Sequence, residues 1–174
     1  SSLESSKVSS TIFLNLLDKE PSNVDVILSL GFCYEAQNLY QKALNLYQKE
    51  SSWNLGNPQI IRQSGLCAIN LKEYRYAEHY FQEVLKRGQI SAQNLAFLGY
   101  ALECQYRWND AELIYKHMIK EFPTNVSGYR ALAWLYGVGL SKNISAELGL
   151  ELAQRALELQ SDPITWEILS ACEA

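Results

Sequence analysis

The sequence predicts an all-α protein built from stacked pairs of antiparallel helices, and three observations support this. The segments 24–57, 58–91 and 92–125 are equal in length and align with one another without gaps, and the match continues into a fourth segment. Within each segment apolar residues recur every three to four positions, the spacing of a helix with one buried face. Bulky and small residues also alternate at equivalent places. Because two short helices cannot bury both apolar faces alone, we expect the units to stack.

The segment 92–125 shows the unit most completely. Its two apolar stripes are Leu95, Leu98, Gly99 and Leu102 in the first half and Ala111, Ile114, Tyr115 and Met118 in the second. A tight turn, QYRWND, joins the halves. We expect Asn109 and Asp110 to start the second helix and Pro123 to end the unit.

Two columns of equivalent residues predict how the helices fit together. The small column is Gly31, Gly65, Gly99 and Ala133, and the ring column is Tyr47, Phe81 and Tyr115. A small residue lets two helices approach closely, so we expect each bulky ring to lie in a shallow place on its neighbour.

These columns resemble the tetratricopeptide repeat (TPR), in which a bulky residue, Leu-Gly, an aromatic, an alanine, a second aromatic and a late proline recur. The resemblance covers nearly the whole chain. It implies a right-handed superhelix, an α-α solenoid, with a concave wall built from the first helix of each repeat. It also implies a scaffold for protein-protein interaction, and it does not identify the partner.

The ends and the fourth repeat depart from the pattern. Residues 3–19 are interpreted as a lone second helix with Phe13 and Leu16 in core places, and 163–174 as the first helix of a truncated fifth repeat. The fourth repeat, 126–162, has a longer turn, GVGLSKNIS, and loosely resembles a Sel1-type repeat. All 174 residues would form a single domain of about four repeats.

Composition limits the function classes. The net charge is −4 with scattered charges, which argues against nucleic acid as a partner, and no apolar run is long enough for membrane insertion. Cys33 and Cys67 occupy equivalent small-residue places, which favours free thiols and a cytoplasmic location. The missing initiator methionine and the apolar pattern at the last residues indicate a piece of a longer polypeptide.

No group of residues predicts catalysis. His79 and His117 fall on solvent-facing places without a nucleophile and an acid at useful spacing, and Gly137 and Gly139 are interpreted as turn residues. The four cysteines lack the spacing of a zinc site. We therefore expect no enzyme activity, no cofactor and no metal.

The candidate site is a column on the predicted inner wall, which occurs once in each repeat. Its members are Phe32, Leu66, Tyr100 and Trp134, with Arg62 and Arg130 at a neighbouring place of the second and fourth repeats. If the column faces the groove, its rings would bind the apolar side chains of a peptide or partner helix, and the two cations would set the polarity of the ligand. The alternative is that the rings belong to the core, and the sequence favours neither.

Other interactions remain open. Trp166, Ile168 and Leu169 predict an apolar face at the C-terminal end, through which the chain would form a homo-oligomer or pair with the rest of its parent. A chaperone of the type III secretion class is a further alternative. A carboxylate clamp for heat-shock tails is excluded, because Leu28 and Phe32 replace the Lys and Asn that such domains share.

Overall fold

The computed structural model describes residues 2–51, 56–138 and 146–173, and these residues form ten helices with no strand among them. The predicted all-α class is confirmed. The contacts divide the chain into two compact units, Ser1–Gln89 and Ile90–Ala174. The single domain and the repeat limits stay predictions.

The first unit contains five helices, each packed on the next in sequence. They are α1 (Ser2–Lys19), α2 (Val24–Ala36), α3 (Tyr40–Ser51), α4 (Pro58–Asn70) and α5 (Tyr74–Lys86).

The second unit also contains five helices, in which α8 contacts α6, α7, α9 and α10. Their bounds are α6 (Ala92–Glu103), α7 (Trp108–Glu121), α8 (Val126–Gly137), α9 (Ala146–Leu159) and α10 (Pro163–Glu173). None of the described helices in either unit combines the length and the apolar character that a membrane span requires.

One polar residue caps the start of each first helix. Its side-chain oxygen accepts a hydrogen bond from a backbone N–H of the first turn, which satisfies a donor that the helix leaves without a partner. The capping residues of α2, α4, α6, α8 and α10 are Asn23, Asn57, Ser91, Asn125 and Asp162. The first four are evenly spaced in the sequence, one for each copy of the unit, so the cap is part of the repeat.

The first three turns that join a first helix to a second helix, all within the described residues, share one backbone conformation. Asn38, Lys72 and Tyr106 all have positive φ, at 58°, 62° and 60°. In each turn the following N–H donates to a carbonyl five residues earlier, as when Glu73 N–H donates to the carbonyl of Ala68 at 2.8 Å. This is the Schellman geometry, which ends a helix and satisfies its last carbonyls.

The predicted start of α7 was wrong by one or two residues. The helix begins at Trp108, and the preceding Arg107 makes no capping bond through its side chain. The Arg107 side chain pairs instead with Asp110 at 2.7 Å, which places a carboxylate in the first turn where the helix dipole favours it.

The ring column lies directly over the small column. A Cβ built on Gly31 would lie 2.0 Å from the Tyr47 hydroxyl oxygen, and one on Gly99 would lie 2.2 Å from Cε1 of Tyr115. Only glycine therefore fits beneath these rings. In the fourth repeat a glycine, Gly149 of α9, takes the place of the ring, and its Cβ would lie 3.2 Å from Cβ of Tyr136 and 3.5 Å from the carbonyl oxygen of Ala133.

Two expectations at the irregular segments need correction or remain open. Leu16 does not lie in the core, since 38% of it is exposed; Leu17 packs against the core cluster of α2 and α3 instead, and Phe13 is half-buried. Most of the long turn GVGLSKNIS, including Gly139, lies outside the described residues, so the Sel1-type interpretation stays a prediction.

Candidate ligand-binding groove

The candidate column places three aromatic rings at exposed positions of first helices. The exposed fraction is 47% for Phe32 on α2, 44% for Tyr100 on α6 and 41% for Trp134 on α8, whereas Leu66 on α4 is half-buried. These rings differ from the ring column of the second helices, where Tyr47 is fully buried.

Within the second unit, a groove of about 340 Å³ runs along α6, α8 and α10, and we call it the α6–α8–α10 groove. Tyr100 and Trp134, one repeat apart, line it together, so the structure brings these two candidate residues to one site. Its lining residues are Ala96, Tyr100, Glu103, Tyr115, Ser127, Arg130, Ala131, Trp134, Ile164 and Ile168.

A half-buried carboxyl group, that of Glu103, forms the polar part of the groove wall. Glu103 accepts a hydrogen bond from the Tyr115 hydroxyl, whose ring covers Gly99. Burial raises the pKa of Glu103, and the Tyr115 hydroxyl partly offsets this by stabilising the carboxylate. The same burial and the neighbouring carboxylate raise the pKa of Tyr115.

The first unit repeats this pair at the equivalent places. The Tyr47 hydroxyl donates to Oε1 of Glu35 at 2.7 Å, and the Cys67 thiol contacts the same oxygen at 3.7 Å. Burial raises the pKa of Glu35, while Tyr47, Cys67 and the nearby Arg62 act in the opposite direction. Arg62, one of the two predicted groove cations, therefore lies in the field of a carboxylate of its own chain.

The second repeat lacks both members of the pair at once. Phe81 replaces the tyrosine and Ile69 replaces the glutamate, and Phe81 still lies over its glycine, Gly65. A carboxyl group that is shielded from water needs a hydrogen-bond donor. This explains why the tyrosine hydroxyl and the glutamate occur together in the first and third repeats and are both absent from the second.

Arg130, the other predicted groove cation, is engaged within the chain. Its guanidinium pairs with Asp162, and its Nε donates to Oγ1 of Thr165 at 2.8 Å. The backbone N–H of Thr165, and then Arg130, lower the pKa of Asp162. Arg130 on α8 thereby holds the start of α10, and its role in setting the polarity of a ligand stays a prediction.

No protein-family model matches this chain. Among solved structures it is similar to MamA, with a TM-score of 0.77 at 20% identity over 87% of this chain and 86% of that one. It is also similar to YrrB, a TPR protein with an unusual peptide-binding site, with a TM-score of 0.80 at 15% identity over 99% of this chain and 86% of that one. The chain has the tetratricopeptide-repeat fold.

A curated protein, the RNA polymerase-associated protein CTR9 of Caenorhabditis elegans, is 24% identical over 152 residues. The match covers 75% of this chain and 13% of the length of that protein.

The predicted C-terminal end face needs correction at two of its three residues. Ile168 is 9% exposed and Leu169 is 8% exposed, because both pack in the cluster that joins α8, α9 and α10. Trp166 alone is exposed, with 54% of it accessible. When α8 and α10 are aligned at their caps, Leu169 corresponds to the buried Leu132, so the repeat pattern indicates its burial. Trp166 corresponds to Tyr129, which is 9% exposed, so the same pattern does not indicate the exposure of Trp166.

Ile164 belongs to the α6–α8–α10 groove and was not among the predicted site residues. It is 59% exposed and occupies the place of Ser127 when the TPR helices are aligned at their caps. Its equivalents in the earlier repeats are the polar residues Asp25, Gln59, Gln93 and Ser127, so no apolar column pointed to this place.

The two histidines lie at exposed places, as the sequence predicted. His79 lines a second cavity of about 350 Å³ in the first unit with Tyr80, Glu83 and Arg87. His117 lies 3.8 Å from Glu121 on the same helix.

Proposed function

We propose that this chain is a non-enzymatic protein-interaction module that captures a peptide or a partner helix in the α6–α8–α10 groove. The observation that carries the proposal is the exposure of Tyr100 and Trp134 within one groove. Exposed aromatic rings at a concave site are the usual anchors of protein recognition, because each buries a large area at little cost in side-chain entropy.

The chemistry of the groove favours an apolar ligand with a small polar component. The rings of Tyr100 and Trp134 and the side chain of Ile164 would contact two or three apolar side chains spaced as on one helical face. The groove volume lies in the range of sites that bind small ligands. A preformed wall leaves mainly the ordering of the ligand as a cost, so we expect micromolar affinity, about −8 kcal/mol.

The first unit presents equivalent places, and we extend the proposal to them. Phe32 would act as an anchor like Tyr100, with Leu66 beside it and Arg62 contributing positive charge. Support for a peptide as the ligand class comes from the similarity to YrrB, a TPR protein with an unusual peptide-binding site. A cytoplasmic location stays a prediction from the small-residue places of Cys33 and Cys67.

Selection from a displayed peptide library tests the proposal. Selected peptides would be measured by fluorescence anisotropy against the wild-type chain, Tyr100→Ala and Trp134→Ala. We expect each substitution to raise the dissociation constant by about tenfold or more, or about 1.4 kcal/mol. Far-UV circular dichroism should remain unchanged, because 44% of Tyr100 and 41% of Trp134 are already exposed and neither ring belongs to the buried core.

Leu113→Ala is the matched control, since Leu113 is 65% exposed on α7 and does not line the groove. It should leave the dissociation constant unchanged. Peptides that bind both groove variants as tightly as the wild type would place the ligand site elsewhere. Loss of helicity in parallel with loss of binding would assign the rings to the core.

A further inference from the structure

We infer that the peptide captured in the α6–α8–α10 groove carries one basic side chain, which pairs with Glu103 beside the rings of Tyr100 and Trp134. The inference deepens the proposed function and rests on it, since it requires that the groove captures a peptide. The main observation is that the first unit holds the equivalent carboxyl group beside a cation of its own.

Glu35 of the first unit is the equivalent of Glu103. The Tyr47 hydroxyl donates to Glu35 at 2.7 Å, as the Tyr115 hydroxyl donates to Glu103. Burial raises the pKa of Glu35, and the positive charge of Arg62 is among the causes that lower it. The first unit therefore supplies its carboxyl group with both a hydroxyl donor and a cation.

Arg130 is the equivalent of Arg62, but it is directed to another partner. It follows Glu103 at the same interval at which Arg62 follows Glu35. Its guanidinium pairs with Asp162, and its Nε donates to Oγ1 of Thr165 at 2.8 Å. Within the described residues, burial and the Tyr115 hydroxyl shift the pKa of Glu103, and Arg130 is not among the causes. The third repeat thus keeps the carboxyl group and its donor, while the equivalent cation is engaged at the start of α10.

This difference leaves the groove with an acidic character. The charged residues that line it are Glu103 and Arg130, and Asp162 neutralises the charge of Arg130. A carboxylate that is partly shielded from water is stabilised by a cation, because burial removes part of its hydration. A basic side chain of the ligand would give the third repeat the arrangement that Arg62 gives the first.

The two rings of the groove favour the same class of side chain. Tyr100 and Trp134 line the groove with Glu103 and are 44% and 41% exposed. The face of an aromatic ring attracts a cation, and tryptophan does so most strongly. The aliphatic part of an arginine or lysine side chain can also pack on apolar surface such as that of Ile164. An acidic side chain would instead be repelled by the Glu103 carboxylate.

Selection from a displayed library of random peptides, carried out separately on the wild-type chain and on Glu103→Gln, tests the inference. Glutamine keeps an oxygen that can accept the Tyr115 hydroxyl but carries no charge. We expect peptides selected on the wild type to carry an arginine or lysine at a fixed distance from their apolar residues. This enrichment should disappear on Glu103→Gln.

A neutral replacement in the peptide then measures the pairing. A peptide selected on the wild type would be synthesised with its basic residue and with an uncharged analogue, citrulline for arginine or norleucine for lysine. On the wild type the replacement should raise the dissociation constant by about tenfold or more, and on Glu103→Gln by about twofold or less. The first comparison uses the unaltered protein, so it decides the matter even if Glu103→Gln folds poorly.

Glu147→Gln is the matched control. It removes the same charge from an exposed place on α9 that does not line the groove. Neutral replacement in the peptide should raise its dissociation constant as much as that of the wild type.

The outcomes separate this inference from the proposed function. Peptides that need Tyr100 and Trp134 but carry no basic residue, or tolerate its neutral analogue, would overturn the inference and leave peptide capture standing. An equal loss on the wild type and on Glu103→Gln would also overturn it, because the cation would then bind elsewhere than at Glu103. If no selected peptide depends on Tyr100 and Trp134, the proposed function fails and the inference fails with it.

Discussion

The hydroxyl-carboxyl pair of the third repeat should be exchangeable for the apolar pair of the second. The perturbation is a double-mutant cycle of Tyr115→Phe, Glu103→Ile and their combination, which gives the third repeat the residues found at Phe81 and Ile69. The ring stays over Gly99 in every variant, so packing between α6 and α7 changes little.

The expected magnitudes follow from which polar group loses its partner. Tyr115→Phe removes the donor from a half-buried carboxyl group, which should lower the free energy of unfolding by about 1 to 3 kcal/mol. Glu103→Ile leaves the buried Tyr115 hydroxyl without that acceptor and should cost about as much. The double variant leaves neither group, so it should be less destabilised than the sum of the singles by about 1 to 3 kcal/mol.

Urea unfolding followed by circular dichroism measures the cycle. A control cycle combines Tyr115→Phe with Glu147→Ile, since Glu147 is exposed on α9. Its two changes in unfolding free energy should add within about 0.5 kcal/mol. Additivity of the same quality between Tyr115 and Glu103 would refute the proposed coupling and with it the reason why tyrosine and glutamate occur together.

The pH dependence gives an independent check on the same pair. The folded chain holds the proton on Glu103 at a higher pH than the unfolded chain does, because burial raises the carboxyl pKa. Glu103 therefore opposes folding above its folded pKa, and this cost disappears as the pH falls toward the ordinary glutamate value. Tyr115→Phe removes the hydrogen bond that lowers this pKa, so a ¹³C carboxyl titration should show the pKa of Glu103 moving further upward.

Three further predictions concern single sites. Gly99→Ala forces a Cβ to within 2.2 Å of the Tyr115 ring and should destabilise by about 1 to 3 kcal/mol in urea unfolding, more than Gly128→Ala, where the nearest side-chain atom is 3.0 Å away. Lys72→Gly should stabilise by about 1 kcal/mol in the same assay because Lys72 has φ of 62°, whereas Lys72→Ala should not stabilise. Asp162→Asn keeps a capping oxygen but loses the charge that pairs with Arg130, so hydrogen exchange of α10 should accelerate at neutral pH. The difference from wild type should vanish as the pH falls below about 4, through the lowered folded pKa of Asp162.

The regular part of the fold was predictable because its signals repeat without gaps. The small column at Gly31, Gly65 and Gly99 predicted the close contacts between helices. The apolar stripes predicted the helices themselves. The positive φ at Lys72 and Tyr106 was not predictable from residue type, because neither residue favours that conformation. Their common place in consecutive repeats shows that the turn geometry is imposed by helix packing.

The candidate site was less predictable where the spacing changes. The interval between the caps of α8 and α10 is longer than the regular period. An alignment at the regular period therefore predicted no partner for Arg130. Its contacts with Asp162 and Thr165 depend on where α10 begins. At α1 the error was one residue, since Leu16 and Leu17 lie about 100° apart around a helix and the lone helix offers no second stripe to fix the phase.

The exposed rings of the α6–α8–α10 groove differ from the buried rings in what lies opposite them. Each buried ring of a second helix lies over a glycine that leaves room for it, as Tyr115 does over Gly99. Tyr100 and Trp134 adjoin a groove of about 340 Å³, and burying them requires a ligand that supplies the opposing surface. Because apolar area exposed to water at a concave site costs free energy that only a partner recovers, the groove rings carry the binding proposal and the glycine-covering rings carry the fold.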